Sequence, residues 1–319
     1  MSDEGNTNFK RVMVVGASGY VGSALALALR DDYEVLSTYH QHPVRIEGTT
    51  GFPLNCLNGS EILTAVQRYS PDLVLYAAGL TSSRACEANP PVAEALNFRA
   101  ATIFFKLLPK PVPFLYMSTD MVFGNGSKGA APFTEKSKPV PMNEHGSSKL
   151  KGENLVMGHQ RLTYVVRVPK IYGEVLGGPQ RPRPSWLQWL QEQVERGTPV
   201  DVFTDQIRSF AYIGDIARAV RIFMKTAPTE SSLYHLSPEQ ALSYADMARL
   251  YCKTMGYDPA LIRDAKRSEN PPSEVAQPLN CALSSEAFYK DYGFRLQNAA
   301  EGLQELSERL RTGFTRTWL

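Results

Sequence analysis

Short aliphatic, β-branched runs alternate along the first half of the chain with apolar stripes spaced by four. Residues 11–16 (RVMVVG) form a run with no polar break after the first position, the pattern of a strand buried on both faces. Val21, Leu25 and Leu29 then recur at every fourth residue, one face of a helix. The alternation continues with strands over 33–39, 72–77, 112–118 and 162–167. Between them the pattern predicts helices over 60–69, where Ile62, Leu63, Val66 and Tyr69 share a face, over 97–107, and from about His145. Repeated strand–helix units build a parallel sheet with helices on both faces, so the fold class is α/β, a doubly wound parallel sheet.

Beyond Arg167 the pattern changes. Residues 173–184 (GEVLGGPQRPRP) are rich in Gly and Pro and predict a loop or crossover. Helices are expected at 186–196, 214–225, 243–255, 284–292 and 299–311, with short strands at 200–203 and 232–236. Trp186, Trp189 and Leu190 read as the packed face of the first of these helices. Pro271, Pro272 and Pro278 mark a second irregular stretch. The expected organisation is a nucleotide domain over 1–168 and a smaller, partly interleaved C-terminal α/β lobe over 169–319, with segments at about 205–240 returning to the first domain.

With 319 residues the chain holds one large domain or two modest ones at roughly 150 residues each. Its 43% hydrophobic and 21% charged residues exclude a disordered chain. Lys plus Arg (34) nearly cancels Asp plus Glu (32), which gives no reason to expect nucleic acid or a membrane surface as partner. Cys56, Cys86, Cys252 and Cys281 lie far apart without a CxxC pair, so they read as reduced core residues and neither a disulfide framework nor a zinc site. The polar residues 1–8 lack a signal peptide's apolar run, and no stretch reaches ~18 apolar residues. A soluble, cytoplasmic protein is expected.

The candidate chemistry begins at Gly16-Ala17-Ser18-Gly19-Tyr20-Val21-Gly22, between the first strand and the first helix. A tight turn of small residues there lets the backbone approach a pyrophosphate and offers it the free N–H groups of a helix N-terminus. With a buried strand before it and an amphipathic helix after, the motif implies a bound dinucleotide on a Rossmann sheet. An acid after the second strand would accept the 2′-hydroxyl of NAD, but residues 37–42 (STYHQH) and Arg45 contain no carboxylate. His40, His42 or Arg45 suit a 2′-phosphate, so NADP is favoured with NAD as the alternative; the other reading of this segment is a solvated polar loop.

The GxxGxxG spacing resembles the extended short-chain dehydrogenases/reductases over nearly the whole chain. Met117-Ser118-Thr119-Asp120-Met121-Val122-Phe123-Gly124 and Ser148-Lys149-Leu150-Lys151-Gly152-Glu153 resemble the dTDP-4-dehydrorhamnose reductase group. Residues 167–175 (RVPKIYGEV), 234–237 (YHLS) and the tail with Phe314, Trp318 and Leu319 are similar to a branch of it, the regulatory β subunit of methionine adenosyltransferase. The resemblance implies a cofactor site made of Gly16, Ser18, Gly19, Tyr20, Val21 and Gly22. It adds Tyr39 and His40, then Asn55, Cys56 and Leu57, where Asn55 replaces the relatives' usual adenine-binding Asp. Ala77, Ala78 and Gly79 form the wall beside the adenine ribose, and Asn97, Lys149 and Val168 complete the site. It also implies a catalytic hydroxyl at Thr119, and Thr81, Asp120, Met121, Lys170 and Arg208 facing a substrate. Residues 205–212 (DQIRSFAY) through Asp215 resemble the stretch that holds a nucleotide-sugar phosphate, and Met121 stands where close relatives often have Tyr.

The family's Tyr-x-x-x-Lys is broken: the chain has His145-Gly146-Ser147-Ser148-Lys149. The spacing places His145 and Lys149 one helical turn apart on one face. A nearby ammonium lowers a tyrosine's pKa but disfavours imidazolium, so from an ordinary value near ~6.5 His145 should be mostly neutral at pH 7 and a poor acid, unless a phosphate or Asp120 reverses the sign. Loss of a positioned acid costs about 10²–10⁴ in rate, roughly 3–5 kcal/mol of barrier. Blander roles stand beside these: His145 as a helix-start residue, Thr119 capping a local N–H, Lys149 pairing with Glu153, Arg208 as a surface charge, and His159 and His235 without ligand spacing. Two functions follow as expectations. One is NADP(H)-dependent reduction of a 4-keto group on a nucleotide-linked deoxysugar, with Thr119, His145 and Lys149 as the catalytic set. The other is a silent, dinucleotide-bound regulatory subunit, with a homodimer or a partner enzyme as its company.

Overall fold

The computed structural model describes residues 9–124, 131–174, 185–268 and 275–312. The N-terminal octet, most of the expected loop over 173–184, Pro271, Pro272 and the aromatic tail lie outside the described residues. Among the described residues twelve strands follow in chain order: β1 (Arg11–Val15), β2 (Glu34–Tyr39), β3 (Thr49–Pro53), β4 (Leu73–Tyr76), β5 (Phe114–Thr119), β6 (Thr163–Val168), β7 (Lys170–Tyr172), β8 (Val200–Phe203), β9 (Ile207–Tyr212), β10 (Ser232–His235), β11 (Ala241–Ser243) and β12 (Ile262–Ala265).

Seven of them form one parallel sheet in the order β10-β6-β5-β4-β1-β2-β3. Strands β4, β5 and β6 are buried at every position, as expected where helices cover both faces. The chain winds outward through β2 and β3, then crosses back to β4 on the other side of β1. The β1–β4 junction is therefore the topological switch point, and the crevice at the carboxyl ends of those two strands is where such sheets bind ligands.

Of the 205–240 stretch expected to return to the first domain, the structure returns only part. Helix Ile213–Lys225 packs on helix Tyr20–Leu29, sharing a core in which Leu25 and Leu29 meet Ile216, Ala219, Val220 and Phe223. β10 then joins the edge of the large sheet beside β6. β9 instead forms a separate sheet, parallel to β7 and antiparallel to β11, while β8 and β12 make a parallel pair. A second apolar core gathers Leu187, Leu190, Phe210, Met247, Leu303 and Leu306 around these small sheets.

Four details depart from expectation. The expected helix over 97–107 starts with a π-turn at Ala95–Arg99, and the regular helix is Ala100–Leu107. β3 is an extra strand whose pattern is masked by Gly51 and Pro53, with Phe52 its one buried residue. The hydrophobic pattern likewise does not predict β7, β9, β11 or β12. On the Trp186–Glu195 helix Leu190 and the half-buried Trp186 pack as expected, joined by Leu187 and Val194, while Trp189 is exposed.

Candidate active site

The turn after β1 is built by close contact. Gly16 has φ +86°, and a Cβ there would lie 2.7 Å from the backbone nitrogen and Cα of Ala78; a Cβ on Gly22 would overlap the Gly16 carbonyl oxygen. β2 holds the turn from the other side, with Ala17 N–H donating to the Thr38 carbonyl (2.8 Å) and Gly16 N–H to Thr38 Oγ1 (3.2 Å). Helix Tyr20–Leu29 begins at Gly19 with no side-chain cap and no acidic residue in its first turn. Uncapped N–H groups at the switch point, without a competing carboxylate, suit an anionic pyrophosphate.

Beside this turn lies a cleft of about 190 Å³ that brings together most of the expected adenosine-side residues: Gly16, Ser18 and Gly19 with Tyr39, His40, Cys56 and Ala77–Gly79. Thr38 and Leu54 also line it and were missed; both are buried, and β2 and β3 deliver them. No lining residue is a carboxylate. Asn55 and Leu57 do not line this cleft. The Asn55 Oδ1 accepts the Leu57 N–H (3.0 Å) in a local turn, and Leu57 is exposed. Tyr20 and Val21 are half-buried on the helix and pack toward the C-terminal lobe, and Thr81 is exposed just past the β4 turn.

Asn97 ties this turn to the next part of the site. Its Oδ1 accepts the Leu80 N–H (2.6 Å), and its Nδ2 donates to the Leu80 carbonyl (2.9 Å) and to Ser148 Oγ (3.0 Å). The π-turn turns this buried amide toward both partners. One turn beyond His145 on the Glu144–Met157 helix, Lys149 extends its Nζ to the Met117 carbonyl (2.8 Å) across the Tyr116 ring, 4.5 Å from its centroid. Burial holds the pKa of the Lys149 ammonium down at about 8, an effect partly offset by Glu153. Lys149 does not bond Glu153, which is engaged by Ser118 and Arg167. A Cβ on Gly79 would be 3.6 Å from Lys149 Nζ, so the lysine faces the turn that lines the cleft.

His145 lies in the first turn of the same helix, 6% exposed, and neither ring nitrogen has a hydrogen-bond partner among the described residues. Burial first, then the charges of Lys149 and Lys170, push its pKa down to about 3. The helix N-terminus acts in the same direction. Thr119 closes β5 with its hydroxyl already engaged, accepting the Met121 N–H (3.2 Å) and donating to Asp120 Oδ1 (3.1 Å), which is the local cap considered for it above. Val168 lies opposite Thr119 at the end of β6. Met121 is buried, and its carbonyl lies so near Gly146 that a Cβ there would overlap it.

On the other side, Asp120 also accepts from the Cys281 thiol (3.2 Å); burial raises its pKa, with Arg208 the main opposing charge. Arg208 is buried, contrary to the surface reading. Its guanidinium donates to the carbonyls of Ile207 (2.7 Å) and Pro278 (2.8 Å). Lys170, half-buried at the start of β7, borders a second cavity of about 240 Å³ with Trp186, Phe203, Gln206, Tyr244 and Gln277. Trp186 thus lines a cavity where the sequence suggested only packing. Gln277 and Cys281 come from a strap, residues 276–285, which Pro278 marks as irregular but to which no motif gives a role.

A parallel sheet with a glycine turn at its switch point, and a buried Asn, Lys and imidazole beyond it, is the arrangement of the extended short-chain dehydrogenase/reductase fold. The chain belongs to the RmlD substrate binding domain family, whose profile matches residues 10–312. It is 28% identical over 257 residues to the "Probable low-salt glycan biosynthesis reductase Agl14" of Haloferax volcanii, covering 79% of this chain and 82% of that one. It is 27% identical over 252 residues to the methionine adenosyltransferase 2 subunit beta of Danio rerio, with 77% and 74% covered. Among solved structures, the dTDP-4-dehydrorhamnose reductase of Bacillus anthracis in complex with NADP superposes with a TM-score of 0.76 at 20% identity, covering 93% of this chain and 98% of that one.

Proposed function

We propose that the protein binds NADP(H) and reduces the 4-keto group of a nucleotide-linked deoxysugar, with His145 in the place of the usual catalytic tyrosine. The observation that carries this reading is His145 itself. A buried imidazole with two unpartnered nitrogens is costly unless a ligand pairs with it. It lies one turn from Lys149, and Lys170, whose charge also acts on Asp120, is near enough to act on it. The carboxylate-free cleft beside Tyr39 and His40 supports NADP over NAD, and the NADP complex of the B. anthracis reductase adds to this.

The residues present fit the cofactor: the uncapped helix start and glycine turn would hold its pyrophosphate, Thr38 to His40 its adenosine end, and Lys149 its nicotinamide ribose. When bound, it supplies a hydride to the carbonyl carbon. His145 is neutral at ordinary pH, so its part is that of a neutral N–H donor that polarises the ketone oxygen. A proton given up at one ring nitrogen must be replaced at the other, and Lys149, one helical turn away with its pKa held at about 8, is a proton source for it. Thr119 is spent on Asp120 and Met121, so it orients Asp120 on the substrate side.

The test is NADPH oxidation with a dTDP-4-keto-6-deoxy sugar, wild type beside His145→Tyr. Slow wild-type turnover that rises about 10²–10⁴-fold in the variant is the expected outcome. Silence in both, with NADPH bound, would overturn reduction of this substrate. That result would favour the second reading, a cofactor-bound regulatory subunit, for which the depressed pKa of His145 is the specific observation. Equal recovery of a methionine adenosyltransferase catalytic subunit with and without residues 313–319 would then remove the tail from that reading.

A further inference from the structure

The strap over residues 276–285 is stitched across the substrate side of the site. Ala276 O accepts from Asn143 Nδ2 (3.0 Å), two residues before His145. Gln277 Oε1 accepts from Gln206 Nε2 (3.1 Å), and Pro278 O receives Arg208. Cys281 reaches Asp120. The strap then pairs with Phe133, Ala282 O accepting the Phe133 N–H (2.8 Å) and Phe133 O the Ser284 N–H (2.9 Å). Leu283 and Cys281 enter a small apolar core with Met121, Val122, Phe123 and Phe133.

His235, at the end of β10, closes that core. Its Nδ1 faces two carbonyl oxygens, Phe133 (3.1 Å) and Ser284 (3.2 Å), so Nδ1 carries the hydrogen. Nε2 faces an Arg167 N–H (3.3 Å) and is the acceptor. Arg167 is in turn bonded to Glu153, and Glu153 to Ser118, the residue before Thr119. The ring edge packs on Phe123. The imidazole is thus fixed as one neutral tautomer joining β5, β6 and β10 of the large sheet to the strap.

We propose that His235 is a positioning residue for the nucleotide-sugar side of the site: it fixes residues 282–284, and through them the strap that lends Gln277 to the second cavity. The assignment rests on the proposed nucleotide-sugar function, with the nucleotide placed in the second cavity because Lys170 and Gln206 of the 205–212 stretch border it. The cofactor cleft shares no lining residue with the strap. The strap's bond to Asn143, on the cofactor side, is made by Ala276 at the opposite end from residues 282–284, so loosening 282–284 acts more on one ligand than on the other.

The experiment compares wild type, His235→Ala, His235→Asn and His235→Gln. It reads NADPH binding by fluorescence, dTDP and UDP binding by calorimetry, and amide hydrogen exchange over 282–284. In His235→Ala the strap amides exchange faster and nucleoside diphosphate affinity falls about tenfold, while NADPH affinity stays within about twofold. Asn, whose amide nitrogen replaces Nδ1, restores the strap; Gln, whose amide reaches instead toward Arg167, does not. The Asn–Gln contrast decides the matter if the alanine variant fails to fold. Unchanged strap exchange, parallel loss of both affinities, or equal behaviour of Asn and Gln would overturn the assignment. A wild type that binds NADPH but neither nucleotide would overturn the reading of the cavity, and the assignment with it.

Discussion

At the scale of single residues, His145 and His235 are both buried imidazoles kept neutral in the fold, each with its pKa pushed down to about 3. In the unfolded chain they take up a proton near their ordinary value of 6.5. Between pH 6.5 and 3 the unfolded state therefore binds more protons, and stability falls as pH drops through that window, by about 1 kcal/mol per pH unit for each histidine. Urea titrations at pH 7 and 5 should show this loss, and His145→Gln should remove about half of the histidine contribution. An unchanged slope in the variant would mean that His145 is solvated and able to protonate. Turnover follows a different group. It should show no step near pH 6.5 and should decline as pH rises through about 8, where Lys149 loses its proton.

At the scale of elements, the Arg167–Glu153 pair (2.6 Å) joins β6 to the Glu144–Met157 helix with both side chains almost wholly buried. Glu153→Gln leaves a buried guanidinium without its counter-charge and should cost about 3–5 kcal/mol, whereas replacing both residues by Leu and Met should recover only part of it, because Ser118 and His235 Nε2 then lose their partners. Chemical denaturation of the single and double variants separates a required charge from a required shape. This pair also shows what was readable beforehand. Glu153 suggested a helix-surface partner one turn away, but its partner lies on a strand that only the fold brings near. The runs of β1, β4 and the start of β5 were legible because two-sided burial leaves few polar positions to confuse the pattern. β9 and β12 were not, since Arg208, Ser209, Arg263 and Asp264 interrupt short strands in small sheets. The site divides the same way. Gly16–Gly22, Asn97 and Lys149 carry local motifs, whereas Thr38, Leu54, His235 and Gln277 owe their roles to strand order and to a strap without regular structure.

At the scale of the whole molecule, the two lobes share structure that neither half of the chain owns. β10 and the Ile213–Lys225 helix come from the second half and complete the sheet and helix layer of the first. Arg218 in that helix holds Asp215 (2.7 Å) and Glu305 (2.9 Å), so the Ala299–Thr312 helix is tied to the same layer. Separating the lobes would expose Leu25 and Leu29 on one side and Val220 and Phe223 on the other, all fully buried. The lobes should therefore unfold together. Trp186 and Trp189 lie on a helix of the C-terminal lobe, so in a Trp318→Phe background tryptophan fluorescence reports that lobe, whereas far-ultraviolet dichroism reports both. A ligand held only by the native state at a hundred times its Kd adds about 2.7 kcal/mol of stability. NADPH at the glycine turn would contact the opposite lobe. If the molecule is one cooperative unit, saturating NADPH raises the fluorescence and dichroism midpoints by the same amount. A dichroism shift with the tryptophan midpoint left in place would mean that the C-terminal lobe melts by itself, and that β10 and its helix are docked onto the sheet and not part of it.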